Sequence, residues 1–276
     1  MSDQTIRFSL NHMTYPSFSP LELIDAATKL GIDAIELRND IQSSSISEVE
    51  NAKIIGKKAA ESGIEILSIN GLYPFNIWNK EREVQTEKLA QLASACGAKG
   101  LVLCPMNDGA YQTSAEKQKA TLSKALTEIK LILEKYDLKG FIEPLGFSIS
   151  SLRFKKDAVE AITSIKGEDC FSLVHDTFHH CGAGETEIFP QHTGLVHISG
   201  MEDETISFES MLDAHRVLIG PKDRLNNIVQ IKQLLNSGYQ GLFSFEPFSK
   251  EVWDLKDPIT AIRESMEYIQ KMIQIK

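Results

Sequence analysis

Short apolar runs recur along the chain, and most follow a helix-like stretch that ends at a turn residue. Leu30–Leu37, Ser62–Ile69, Cys96–Leu103, Tyr136–Glu143 and Ser237–Glu246 share this form. Gly just past the last helical turn takes the left-handed conformation that stops a helix. The runs that follow are nearly continuous rather than alternating, which suits strands buried on both faces in a parallel sheet. Adding Ile6–Leu10, Phe171–Val174 and Leu195–Ile198 gives eight predicted strands.

Helical stretches separate nearly all of them, and their start signals are specific. Ser19-Pro20-Leu21-Glu22 combines an N-cap, a first-turn Pro and a capping-box Glu. Thr113-Ser114-Ala115-Glu116 offers the same box before a helix whose stripe is Leu122, Leu126, Ile129 and Leu133. Asp257-Pro258 opens a last helix with Ile259, Ile262, Met266, Ile269 and Ile273 on one face. After Phe171–Val174 the segment Cys181–Pro190 is Gly-rich and acidic, so a helix there is short. Eight β/α units in a chain of 276 residues predict one (β/α)8 TIM barrel domain spanning 1–276. A doubly wound open sheet is the competing architecture. It favours a Gly-rich phosphate turn after the first strand, whereas this chain has Asn11-His12-Met13-Thr14-Tyr15-Pro16.

In a parallel barrel every strand's C-terminal end opens on one face, so polar residues at those ends meet. They include Asn11 and His12, Glu36 and Arg38, Asn70 and Cys104. The later strands end in Glu143, Asp176, His197 and Glu246 in turn. Two Glu, one Asp and one His form a mixed oxygen and nitrogen ligand set that suits Mn²⁺, Mg²⁺, Co²⁺ or Zn²⁺. A single Glu or His at a strand end is ordinarily a cap or a packed imidazole; four strands in succession ending this way favour a metal centre. His179, three residues past Asp176, either contacts substrate or caps its turn. His175 and His180 are expected to point away, because neighbours alternate along a strand, and His192 to lie at the surface. Arg216, on the long loop after the seventh strand, is either solvated or holds substrate oxygens. The aromatic stretch Tyr73–Trp78 either walls a sugar ring or packs a long loop.

Composition narrows the field without choosing a reaction. Apolar content of 42% and charged content of 24% are ordinary for a globular protein. A net charge of −9 and a pI near 5.4 disfavour a nucleic-acid partner. No apolar run approaches the ~20 residues that span a bilayer, and Met1-Ser2-Asp3-Gln4 does not begin a secretory signal. Cys96, Cys104, Cys170 and Cys181 form no C-x-x-C pair and fit buried thiols of a cytoplasmic protein.

The segments Ile35–Arg38, Ile142–Gly146, Val174–His179, Val196–Ile198, Arg216–Gly220 and Phe245–Phe248 resemble, in that order, the sugar isomerase/epimerase family of xylose-isomerase-like TIM barrels. Within that family they are most similar to 2-keto-myo-inositol isomerases of inositol catabolism. The resemblance implies one divalent metal held by Glu143, Asp176, His197 and Glu246, with Glu143 and Glu246 also moving the proton. It implies substrate contacts from His179 and Arg216, to which the strand-end positions of Asn70 and His12 add two further candidates. An acidic residue often precedes the matching Arg in the family, where this chain has His215. The expected partner is a small sugar or inosose, with a homo-oligomer as the assembly often found among such proteins. The expected reaction is proton transfer beside a ketone through an enediolate. Alternatives are a ketose 3-epimerase, a hydroxypyruvate-type isomerase, an inosose dehydratase, an endonuclease-IV-like DNA repair enzyme and a metal-free scaffold.

Overall fold

A computed structural model describes residues 6–41, 45–111 and 113–274. Met1–Gln4, read above for a targeting signal, lie outside the described residues. Eight parallel strands close into a barrel in sequence order: β1 Arg7–Asn11, β2 Ala34–Arg38, β3 Glu65–Leu72, β4 Gly100–Leu103, β5 Lys139–Ile142, β6 Phe171–Asp176, β7 Thr193–Ile198 and β8 Leu242–Phe245. Pairing of β1 with β8 completes the ring and rules out the open sheet. The α-helices are α1 Pro20–Leu30, α2 Val49–Glu61, α3 Lys80–Cys96, α4 Ala115–Lys135, α5 Lys155–Ser164, α6 Thr177–Ala183, α7 Asn227–Asn236, α8 Lys250–Trp253 and α9 Pro258–Gln274. Among the described residues, no helix is long and apolar enough to cross a membrane.

Local chemistry accounts for the helix ends. Ser19 and Glu22 form the expected reciprocal capping box of α1. The cap of α4 falls one residue later than predicted, on Ser114, whose hydroxyl accepts the Lys117 N–H. Gly31 and Gly97 stop α1 and α3 at φ of 70° and 75°. At the end of α4, Asp137 takes φ 53° instead, a conformation that Asp tolerates better than most side chains.

The pleat assigns two jobs to each strand. Ala34, Leu67, Val102, Phe141, Val174, Leu195 and Leu242 form one apolar cluster, with a residue from each of β2 to β8. It is the floor of the barrel interior. Leu173, Val196, Ile198, Phe243 and Phe245 have the opposite parity and pack in the large cluster shared with the helices. On β5 to β8 the chain again faces inward two residues beyond the floor residue, and here polar side chains begin. Val174 is followed by Asp176, Leu195 by His197 and Phe141 by Glu143; Leu242 leads to Ser244 and then Glu246. The register sets Asp176 beside His197, and His197 beside Ser244.

Candidate metal centre and active site

Glu143, Asp176, His197 and Glu246 are buried, and one donor atom from each lies within 4.8 Å of the other three. His197 Nδ1 stands 3.0 Å from Glu143 Oε1, 3.2 Å from Glu246 Oε2 and 4.0 Å from Asp176 Oδ2. Its other nitrogen, Nε2, faces Glu36 Oε1 at 3.1 Å. Glu36 is fully buried and accepts from the Ser244 hydroxyl, from Ser68 Oγ at 2.6 Å and from Asn70 Nδ2 at 2.9 Å. Those bonds fix the carboxylate, which in turn fixes the imidazole with Nδ1 toward the other three ligand candidates. A carboxylate on the far nitrogen of a histidine is the usual support of a metal ligand.

Two arginines close the upper side. Arg38 Nη1 donates to Glu246 Oε1 at 2.9 Å, and Arg216 Nη2 donates to Glu246 Oε2 at 2.9 Å and to Asp176 Oδ2 at 2.7 Å. Asn11 Nδ2 adds a bond to Glu246 Oε1 at 3.0 Å. Burial would raise the Glu246 carboxyl, yet His197 and the two guanidinium groups hold it down at about 2. Glu36 is likewise held at about 2, with burial opposed mainly by His197 and the two serine hydroxyls. Burial also opposes the charge on Asp176, which Arg216 and His179 hold below its ordinary value. For His197 burial pulls downward, but Glu246, Glu36 and Glu143 outweigh it and raise the imidazole well above its usual range.

These charges test whether the donor set fits a metal. Four buried carboxylates, Glu36, Glu143, Asp176 and Glu246, face two buried guanidinium groups, Arg38 and Arg216. With His197 neutral, as a ligand must be, the formal deficit is two positive charges, the charge of one divalent cation. A centre that raises the pKa of a buried imidazole is one that stabilises positive charge. Three carboxylates and an imidazole nitrogen at this spacing can hold such an ion.

A cavity of about 420 Å³ opens above the centre. Glu143, Glu246, Asn70, His179 and Arg216 line it, as do Cys104, Leu145, Phe147 and Phe248. His12 does not. It starts the short 3₁₀ turn His12–Thr14 after β1, and its ring points Nε2 at the Phe18 carbonyl oxygen, 2.8 Å away. Asn11 takes the inward position instead. His179 donates its backbone N–H to Asp176 Oδ1, which caps the turn, and sets its ring edge-on to Phe147 and Phe178, so it both continues the turn and faces the cavity. Gly146 lets the loop after β5 reach α6: a Cβ there would meet the His179 carbonyl oxygen at 2.1 Å. That close approach brings Leu145 and Phe147 to the wall. Of the aromatic loop, Tyr73 lines the cavity, while Phe75 and Trp78 pack in the core.

Arg216 is not solvated: it is 1% exposed. His175 and His180 point away from the centre, the first bonded to Gln230 and the second to Lys155. His192 is half-buried rather than a surface residue. The four thiols are free, and Cys104 Sγ approaches Glu143 Oε2 at 3.4 Å. Glu36 and Arg38 stood among the strand-end residues but received no role from the sequence. Their signal was two charged side chains of one parity in the apolar strand Ala34-Ile35-Glu36-Leu37-Arg38.

A family model described as xylose isomerase-like TIM barrel matches residues 24–272. The chain belongs to the xylose isomerase-like TIM barrel family. A xylose isomerase domain containing protein from Salmonella typhimurium LT2 is 31% identical, with a TM-score of 0.87 and 99% of each chain covered. An IolI protein solved with a binding zinc atom is 21% identical, with a TM-score of 0.85, covering 97% of this chain and 99% of that one. The 3-keto-D-glucoside 4-epimerase YcjR from E. coli is 17% identical at a TM-score of 0.71, covering 97% of this chain and 100% of that one. No curated protein matches the sequence.

Proposed function

We propose that this protein is a divalent-metal-dependent isomerase or epimerase that moves a proton beside the ketone of an inosose or ketose. Within the family the reading is most like a 2-keto-myo-inositol isomerase of inositol catabolism, acting in the cytoplasm. The observation that carries it is the meeting of Glu143, Asp176, His197 and Glu246 at one point below a cavity of sugar size. Glu143, Asp176, His197 and Glu246 would hold one ion, Mn²⁺, Co²⁺, Mg²⁺ or Zn²⁺. When bound, the ion supplies Lewis-acid stabilisation of negative charge developing on adjacent substrate oxygens.

The protein's own groups supply the rest. Glu143 and Glu246 line the cavity and are the candidates to take the α-proton and to return it. Return to the neighbouring carbon gives an isomer, and return to the same carbon from the other face gives an epimer. Glu36 holds the His197 ring in place, and Asn11 and Arg38 hold Glu246. His179 and Asn70 offer hydrogen bonds to substrate hydroxyls, and Phe147, Phe248 and Leu145 shield the reacting carbon from water.

The decisive test is incubation of metal-supplemented protein with a panel of inososes and ketoses in D₂O. Deuterium at the carbon beside the carbonyl identifies the substrate, and product analysis separates isomer from epimer. Loss of one water from the product would identify a dehydratase instead. No exchange with any member of the panel would overturn the proton-transfer reading.

A further inference from the structure

Both arginines on the cavity wall have their donors engaged by the protein. Arg38 presents Nε and Nη2 to the two oxygens of Asp40, each at 2.7 Å, and Nη1 to Glu246. Arg216 presents Nε to Ser199 Oγ at 3.0 Å, Nη1 to Asp213 Oδ1 at 3.2 Å, and Nη2 to Asp176 and Glu246. Each arginine therefore spans from the same buried glutamate below to one aspartate above. Phe248 stacks beside both, with guanidinium carbons 5.5 and 4.7 Å from its ring centre. That ring keeps either fork from swinging away from its aspartate.

The aspartates are placed differently from the arginines they hold. Asp40 and Asp213 line the cavity with side chains 52% and 44% exposed, whereas the Arg38 and Arg216 side chains are 10% and 1% exposed. An incoming ligand meets the carboxylates first. The remaining basic side chain on the wall is His179, packed edge-on against Phe147 and Phe178. Much of the other polar lining is uncharged amide: Asn39, Asn70, Gln85 and Asn107. Asn107 Oδ1 is buried with no hydrogen-bond partner among the described residues, an acceptor that a hydroxyl would satisfy.

We propose that Asp40 and Asp213 are specificity-determining residues that occupy the arginine forks and exclude anions, restricting the substrate to an uncharged polyhydroxy ketone. Planar forks of this kind bind carboxylate and phosphate well when they are free. With the forks taken and two carboxylates at the mouth, a sugar phosphate or a keto acid meets repulsion and finds no bidentate partner. The uncharged-substrate statement rests on the isomerase or epimerase reading above, whereas anion exclusion can be measured without it.

The test has two arms, both on metal-supplemented full-length protein. In the first, sulfate is the probe in equilibrium dialysis against wild type, Asp40→Asn and Asp213→Asn. Wild type is expected to show no saturable sulfate binding in the millimolar range, and each variant to bind at least about tenfold more tightly, since Asp40→Asn frees the Nε and Nη2 edge of Arg38 and Asp213→Asn frees Nη1 of Arg216. Asp40 lies on an exposed loop and Asp213 opens the short 3₁₀ turn Asp213–His215, and circular dichroism melting checks that each variant is folded. Saturable sulfate binding to wild type, or no gain in either folded variant, overturns the exclusion. In the second arm wild type is given D-fructose against D-fructose 6-phosphate, and dihydroxyacetone against hydroxypyruvate, with deuterium exchange as the readout. The uncharged member of each exchanging pair is expected to lead by at least about tenfold, the scale of one repulsive contact in specificity. A lead by the anionic member overturns the proposal. Absence of exchange in all four refutes the proton-transfer reading, and the dialysis result then decides the exclusion by itself.

Discussion

His197 and His180 are both buried, on neighbouring segments, and the protein drives them in opposite directions. His197 has one parity on β7 and falls inside the barrel among Glu36, Glu143 and Glu246. Burial opposes its charge, but the carboxylates win and push its pKa upward. His180 lies behind β6 on α6, where Lys155 Nζ stands 2.8 Å from its Nδ1. Burial first, then that ammonium, push it down to about 3. His175, whose ring lies 4.9 Å from that of His180, is also pushed well down, by burial, Lys155 and His180. Burial alone does not decide a histidine's charge. Placement does, because it selects which neighbours the ring meets: strand parity turns His197 inward and His175 outward, and α6 carries His180 behind the sheet. Inside the ring of strand ends there is a surplus of carboxylates; behind the strand there is an amine.

The comparison can be broken most severely on the inner side. Glu246→Gln is expected to lower turnover by about 10²- to 10⁴-fold, the usual contribution of a proton-transferring group. Metal content by mass spectrometry should largely survive that change, while His197→Ala and Asp176→Ala should each lose the ion. Full turnover in the first variant, or stoichiometric tight metal in both of the others, contradicts the assignment. Glu36→Gln keeps the shape that supports His197 but removes its charge. It is expected to weaken metal binding by about 10- to 100-fold, measured by competition with a chelator.

On the outer side the same kind of change should affect stability alone. His175→Ala removes the donor to Gln230 Oε1 at 2.9 Å and leaves a buried gap. A cost of about 2–3 kcal/mol is expected from the cavity and the stranded amide, with metal content unchanged. Loss of metal in this variant would show that the two regions are not separate.

The smallest effect is in pH dependence, and its sign differs between the two histidines. The folded protein holds His180 at about 3, below its unfolded value of 6.5. Between those values the unfolded chain binds the extra proton, so stability falls as pH drops from 6.5 toward 3. One such group contributes a slope of at most about 1.4 kcal/mol per pH unit. His197 is raised, so in metal-free protein its contribution is complete below 6.5 and is lost as pH rises through its folded value. Denaturant titrations of metal-free protein should show His180→Gln flattening the acid limb and His197→Gln flattening the alkaline one. If both variants flatten the same limb, the opposition between the regions fails.

Much of this was legible along the chain. The eight apolar runs and the turn residues between them carried the strand order, and the ends of β5 to β8 carried Glu143, Asp176, His197 and Glu246. These are local signals, because a strand's period of two and a helix's stop at Gly depend on neighbours in sequence. His175 could be set aside for the same reason. Partnership was not legible. Arg38 and Glu246 are 208 residues apart and meet because β1 and β8 close the ring. Glu36 acquires its purpose only when Ser68, Ser244 and His197 surround it. His12 stood one position beyond a strand end, and a single 3₁₀ turn was enough to take it out of the cavity. The sequence by itself determined which side chains face inward at the ends of β5 to β8. Which of them touch, and which charges cancel, was decided by the closed barrel, because Coulomb and hydrogen-bond energies depend on distance in space rather than along the chain.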